Sequence, residues 1–131
     1  MFALTALLQE SVPTLPQLQG ELEALFRNEV VPSMSHERLP FSGRPQLTFR
    51  WPTWSFTVQI PEGQDAKDLA DAAQTAAGMP LGASNPRALI RIVFASDPSQ
   101  DFTNHVIWVT EHLIETYRAV IYDETQQSLW V

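Results

Sequence analysis

The chain has 131 residues, 44% of them apolar and 18% charged, no cysteine, and a formal charge of −7. Size and composition fit one globular domain spanning residues 1–131, and the lack of cysteine excludes disulfides and thiolate metal sites. From Ala95 onward six carboxylates (Asp97, Asp101, Glu111, Glu115, Asp123, Glu124) stand against Arg118 alone, which leaves −5 there and −2 in the rest of the chain.

A one-sided field of that kind repels phosphate backbones and attracts a basic partner. The basic residues are scattered, and the only lysine, Lys67, sits among Asp65, Asp68 and Asp71, so nucleic acid is not the expected ligand. The N-terminal run MFALTALLQES has no Lys or Arg before it and no small-residue cleavage site after it, which argues against a signal peptide. No stretch approaches the roughly 18 apolar residues a membrane helix needs. A soluble cytoplasmic protein is the expectation.

Phe2–Leu8 reads either as a short buried strand or as about two helical turns. A helix then begins at Thr14 or Leu15, where Pro16 is tolerated in the first turn. Leu15, Leu18, Leu22, Leu25 and Phe26 give it one apolar stripe, and it is expected to end near Val30. Val31 to Gln46, with Pro32, Pro40, Gly43 and Pro45, reads as a long loop. Leu47–Trp51 and Ser55–Ile60 alternate apolar with polar residues around Pro52-Thr53, as a hairpin does. Asp65 is the expected N-cap of a second helix. That helix runs to about Ala77 on an alanine-rich stripe (Ala66, Leu69, Ala73), with Gly78 in the left-handed C′ position. Met79–Pro86 reads as a loop and Ala88–Ala95 as a strand. A turn at Asp97–Thr103 leads to a third helix over Asn104–Tyr117, with Val106, Val109, Leu113 and Tyr117 inward. Ala119–Tyr122 and Ser128–Val131 form a closing hairpin around Asp123–Gln126.

The whole predicts an α+β domain, an antiparallel sheet with helices packed on one face. If Phe2–Leu8 is a strand, the first 95 residues follow the βαββαβ order of a ferredoxin-like sandwich, to which a C-terminal helix and hairpin are added.

Few residues suggest chemistry. His105, Trp108, His112 and Glu115 share one stripe of the third helix, and His112–Glu115 with Asp101 nearby has the side-chain types of a divalent-metal site. The two histidines, however, are about 10 Å apart along the axis at roughly 1.5 Å per residue, too far to share one ion. No metal or cofactor is therefore expected. His36-Glu37-Arg38 brings an imidazole beside a carboxylate without a recognisable nucleophile. No G-x-S-x-G elbow or phosphate loop occurs, so an enzyme is not the expected class. Trp51 and Trp54, beside a hairpin tip, read either as an exposed anchor for a partner or as packing over the sheet edge. Asp123-Glu124 reads either as a plain turn or, with Asp97 and Asp101, as an acidic docking rim.

Small size, acidity, absence of cysteine and an α+β layout ending in VIYDETQQSLWV resemble the make-up of bacterial immunity proteins that are paired with secreted toxins. That resemblance implies a cytoplasmic protein without enzymatic activity that covers a basic toxin domain. No site residue follows from the resemblance; the partner-binding set read from the sequence itself is Asp97, Asp101, Asp123, Glu124, Trp51 and Trp54. Three other functions fit the same composition. One is a secretion chaperone for an effector, which would be dimeric; another is a small enzyme or metal protein built on His105, His112 and Glu115; the third is a structural subunit of a larger assembly, its acidity serving only solubility.

Overall fold

The computed structural model describes residues 2–8, 13–38, 44–77 and 88–130. The elements in chain order are β1 (Phe2–Leu8), α1 (Leu15–Leu25), β2 (Ser33–Arg38), β3 (Pro45–Trp51), β4 (Trp54–Gln59), α2 (Gly63–Ala77), β5 (Ala88–Phe94), α3 (Thr103–Tyr117), β6 (Val120–Asp123) and β7 (Ser128–Leu129). The expected Gly78 cap, the Met79–Pro86 loop and Val131 lie outside the described residues.

The first segment is a strand, and its position explains its composition. β1 pairs with β5 on one side and β6 on the other and is covered on both faces, so it reads as an almost unbroken apolar run rather than an alternating one. Leu4, Ala6 and Leu8 point into the main core, whereas Leu7 points into a smaller one on the opposite face.

All seven strands form one sheet in the order β2-β3-β4-β5-β1-β6-β7, antiparallel at every pairing. With three helices this is an α+β domain. The ferredoxin-like order is not reproduced. In that sandwich another strand separates the two strands joined through a helix. Here β4 and β5, joined through α2, pair directly, and β1 lies on the far side of β5. The extra strand is β2, which occupies part of the expected loop and pairs with β3 along its whole length. Its sequence, SMSHER, has no apolar alternation because it is the outermost strand, where polar side chains are common.

The helices do not share one face. The main core holds Leu15, Leu18, Leu22 and Phe26 of α1 and its C-cap, and Val109, Leu113 and Tyr117 of α3, against Leu47, Phe49, Phe56, Val58, Ile90, Ile92 and Phe94 of the sheet. α2 packs on the other side, where buried Ala73 and partly buried Leu69 meet Leu7, Leu89 and Tyr122. An alanine stripe allows a helix to lie close to a sheet but does not specify which face it takes.

Local chemistry sets the boundaries. Thr14 caps α1 by accepting the Gln17 N–H at 3.2 Å, with Pro16 inside the first turn. The helix ends at Leu25, and Phe26 closes it. α2 starts three residues earlier than an Asp65 cap would place it, at Gly63, whose φ of 58° suits glycine. Asp65 therefore sits within the first turn rather than capping it. α3 ends at Arg118, a left-handed residue (φ 52°) whose N–H returns to the Leu113 carbonyl.

Across the α2 face runs a row of polar side chains in register. Glu37 accepts from Gln46 (3.3 Å), Gln46 from Gln59 (3.1 Å) and Gln59 from Arg91 (3.3 Å). The Arg91 Nε then reaches Glu124 at 3.0 Å. The row links polar side chains of four strands, β2 to β5, with the turn after β6, so that each finds a partner.

Candidate partner-binding surface

The six residues marked from sequence as a docking set separate into three groups. Trp51 and Trp54 are buried, 6% and 4% exposed. They face each other across the hairpin, inside an aromatic cluster with Phe26, Phe56 and Phe102. Each indole N–H is already committed, Trp51 to the Val30 carbonyl (2.8 Å) and Trp54 to the Ala95 carbonyl (3.0 Å). Neither is available as an anchor, because both continue the inward parity of their strands.

Glu124 is turned away from α3. Its carboxylate accepts from Arg91 and, at 3.0 Å, from the Thr5 hydroxyl, and it lines a cleft of about 300 Å³ beside α2 with Arg44, Asp65 and Asp68. Both arginines of that cleft are paired, Arg44 with Asp65 at 2.9 Å and Arg91 with Glu124, while Asp68 accepts from Gln64 at 2.7 Å.

Asp97, Asp101 and Asp123 surround a different feature. The first turn of α3 has no side-chain cap from Phe102. Asp97 fixes the turn that leads into it, accepting the Asp101 N–H at 3.1 Å and the Phe102 N–H at 2.8 Å, an anion close to the end where the helix dipole favours one. Asp101 is exposed. Between this turn, α3 and the chain after β7 lies a groove of about 580 Å³. Phe2, Val106, Ile107 and Trp130 give it apolar walls, Trp54 adds to them, and Asp97, Gln100 and Thr103 supply polar lining.

Trp130 is the exposed tryptophan of the four that sequence reading passed over. It is 40% exposed, yet it is fixed. Its N–H donates to the Ile121 carbonyl at 2.9 Å, and its indole Nε1 donates to Asp123 Oδ2 at 3.1 Å. The other oxygen of Asp123 accepts the N–H groups of Thr125 (2.9 Å) and Gln126 (3.0 Å). Asp123 is 8% exposed, so it acts as the organiser of the turn and of Trp130, not as a rim charge.

The outward stripe of α3 carries Ile107, Glu111, Ile114 and Glu115, at spacings that bring them onto one side. The two isoleucines are 41% and 44% exposed, and both glutamates are exposed. No described side chain pairs with the carboxylates of Asp101, Glu111 or Glu115.

The histidine stripe does not converge. His105 is enclosed by rings, with Phe26 stacked at 5.2 Å and Trp51, Phe102 and Trp108 at 5.1 to 5.3 Å. Its Nδ1 is buried and finds no hydrogen-bond partner among the described residues. Burial lowers its pKa from the ordinary 6.5, against the opposing pull of Glu29 and Asp97. His112 instead meets Glu21 of α1, Nε2 to Oε1 at 2.6 Å, and Tyr117 donates to the same carboxylate at 2.6 Å. Burial acts to raise the Glu21 pKa, but the bonds from Tyr117 and His112 prevail and hold it below the usual carboxylate value. Burial and Glu21 together push the Tyr117 phenol well above its ordinary range. The cluster joins α1 to α3. Among the described residues no group of three or more His, Asp or Glu is placed to hold a metal ion. His36 and Glu37, neighbours on β2, point to opposite faces: His36 meets Gln19 of α1 at 2.7 Å, and Glu37 joins the polar row. Among the described residues no helix is long and apolar enough to cross a membrane.

No family model, curated protein or solved structure matches the chain.

Proposed function

We propose that this chain is an acidic protein-binding domain whose partner carries a basic surface. Its favoured form is an immunity protein that covers and neutralises a cognate basic toxin domain in the bacterial cytoplasm. The observation that carries the reading is the outward side of α3. Asp101, Glu111 and Glu115 lie exposed there beside two exposed isoleucines, and Arg118 is the only basic residue after Ala95. Mixed apolar and single-sign charged surface of this kind steers an oppositely charged protein and then offers area to bury.

The test is charge reversal at positions that do no internal work. Reversing Asp97, Asp123 and Glu124 would probe folding, since all three accept bonds within the domain. Asp101→Lys with Glu111→Lys and Glu115→Lys avoids that. Tagged wild type and the triple variant are used to capture proteins from the native cells at low salt. A basic protein should be retained in fixed stoichiometry by wild type, released as salt rises, and lost with the variant. A partner indifferent to both salt and reversal would sink the reading. A dimer of this chain bound to an effector would favour a secretion chaperone instead.

A further inference from the structure

We infer that the groove between the first half of α3 and Trp130 seats a bulky aromatic or aliphatic side chain, which the basic partner presents between lysines or arginines. The inference rests on the basic-partner reading above and assigns the residues that read the partner out.

Three observations lead to it. Ile107 and Trp130, two of the most exposed large apolar side chains described, both line this one groove. Its volume of about 580 Å³ falls within the ~300–1,000 Å³ of clefts that enclose compact ligand groups. The aromatic wall is also preorganised. Two hydrogen bonds hold Trp130, one to Asp123 Oδ2 and one to the Ile121 carbonyl, so docking against it orders little that is mobile. Exposed apolar area that is held rigid next to a helix differs from a side chain left in water by chance, and tryptophan is the residue most often found at the energetic centre of an interface.

Charge selects the occupant. No described Lys or Arg lines the groove, whereas Asp97 does, and Asp101 stands exposed at the start of α3. A cation flanking the seated side chain meets those carboxylates, and an acidic flank is repelled. The Asp97 carboxylate already holds two backbone N–H groups of the α3 turn, so it acts from a fixed position. The surface thus fits a basic segment with an apolar centre, and it discriminates against an acidic segment with the same centre.

The experiment uses the full chain and short synthetic peptides that combine two variables. Flanks are lysine or glutamate; the centre is Leu-Trp-Leu or Ser-Ser-Ser. Affinities are read from the anisotropy of a label on the peptide, and the four indole N–H signals are followed by NMR. The lysine-flanked Leu-Trp-Leu peptide should bind about tenfold or more tighter than either single change. It should shift the Trp130 indole signal and leave that of Trp51, which does not line the groove, in place. Trp130→Ala should remove that advantage. Ile107→Ser, a change on an exposed helix position that leaves the β6–β7 turn intact, should weaken it. If both lysine-flanked peptides bind equally and neither variant matters, the groove assignment is overturned and the basic-partner reading stands. If the glutamate-flanked Leu-Trp-Leu peptide binds as well as its lysine counterpart, the groove's preference for a basic segment is overturned. If neither lysine-flanked peptide binds, both readings fall.

Discussion

Replacing Asp123 by alanine should cost stability and release Trp130 in the same step. The carboxylate accepts three hydrogen bonds, from the Thr125 and Gln126 N–H groups and from the Trp130 indole. Bonds to a charged acceptor contribute about 1.5–3 kcal/mol each when their loss leaves buried partners unpaired. Here the donors lie on exposed residues, so water replaces the lost oxygen and the larger figures do not apply. The two turn N–H groups are comparable to a lost helix cap, about 1 kcal/mol, and the indole bond adds about 1 kcal/mol. Desolvation of a carboxylate that is 8% exposed offsets part of this, so about 1.5–2 kcal/mol is expected. In a urea titration that corresponds to a midpoint lower by about 1 M, with an unchanged slope of roughly 1–3 kcal/mol per M. The indole signal of Trp130 should move toward the position of a free indole in the same sample. Asp123→Asn, which keeps one accepting oxygen, should fall between wild type and alanine. A midpoint unchanged within about 0.2 M of wild type, against the expected slope, or a Trp130 signal that stays in place, would refute the assignment.

Other expectations concern backbone and pH. Arg118 holds a left-handed φ of 52°, so Arg118→Gly should raise stability by about 1 kcal/mol, roughly 4 °C in a thermal melt of a chain this size; a lower melting temperature would contradict the cap. Gly63 has a φ of 58°, and an added Cβ would meet only an Arg44 nitrogen at 3.8 Å. Gly63→Ala should therefore destabilise by about 1 kcal/mol through conformation and not through a clash, and denaturant unfolding measures it. His105 has a lowered folded pKa, so the unfolded chain binds the extra proton more readily. Stability is full above the ordinary value of 6.5 and falls as pH drops below it. His105→Phe should flatten that slope in denaturation midpoints taken between about pH 7 and 5. Glu21, also lowered, holds its contribution above 4.5 and loses it as pH falls further; Glu21→Gln should remove this second decline, and an unaltered acid profile would exclude it.

Most of the fold could be read from periodicity. The leucines of α1 and the inward valines and leucine of α3 occupy the positions their spacing implies. Elsewhere the sequence held the signal and the reading did not follow it through. Leu47, Phe49 and Trp51 share one parity, as do Trp54, Phe56 and Val58, and extending the alternation one residue places both indoles in the core. β2 gave no such signal. As an edge strand it turns only Met34 onto the main core, and the prolines around it resemble loop chemistry. The face taken by α2 and the neighbour taken by β1 depend on long-range packing that local patterns do not encode. Trp130 gives no local signal because its fixed position follows from the Asp123 bond, a contact made only once the β6–β7 turn has formed.

Composition also overstated the charge available to a partner. Of the six carboxylates after Ala95, three are engaged within the domain: Asp97 holds the turn before α3, Asp123 organises the last turn, and Glu124 neutralises Arg91. Asp101, Glu111 and Glu115 remain exposed at the start and along the outward side of α3. An acidic sequence therefore becomes an acidic surface only where folding leaves carboxylates unused, and here that surface is a helix which also exposes Ile107 and Ile114. The consequence is a separation of roles that mutation can expose. Reversing Glu111 and Glu115, which do not line the groove, should change association rate and salt dependence while leaving unfolding unchanged, because exposed charges act mainly through long-range steering. Truncating Trp130 or Ile107 should instead change how fast the complex comes apart. Charge variants that altered dissociation alone would place those carboxylates inside the contact and would remove the distinction between a steering helix face and an anchoring groove.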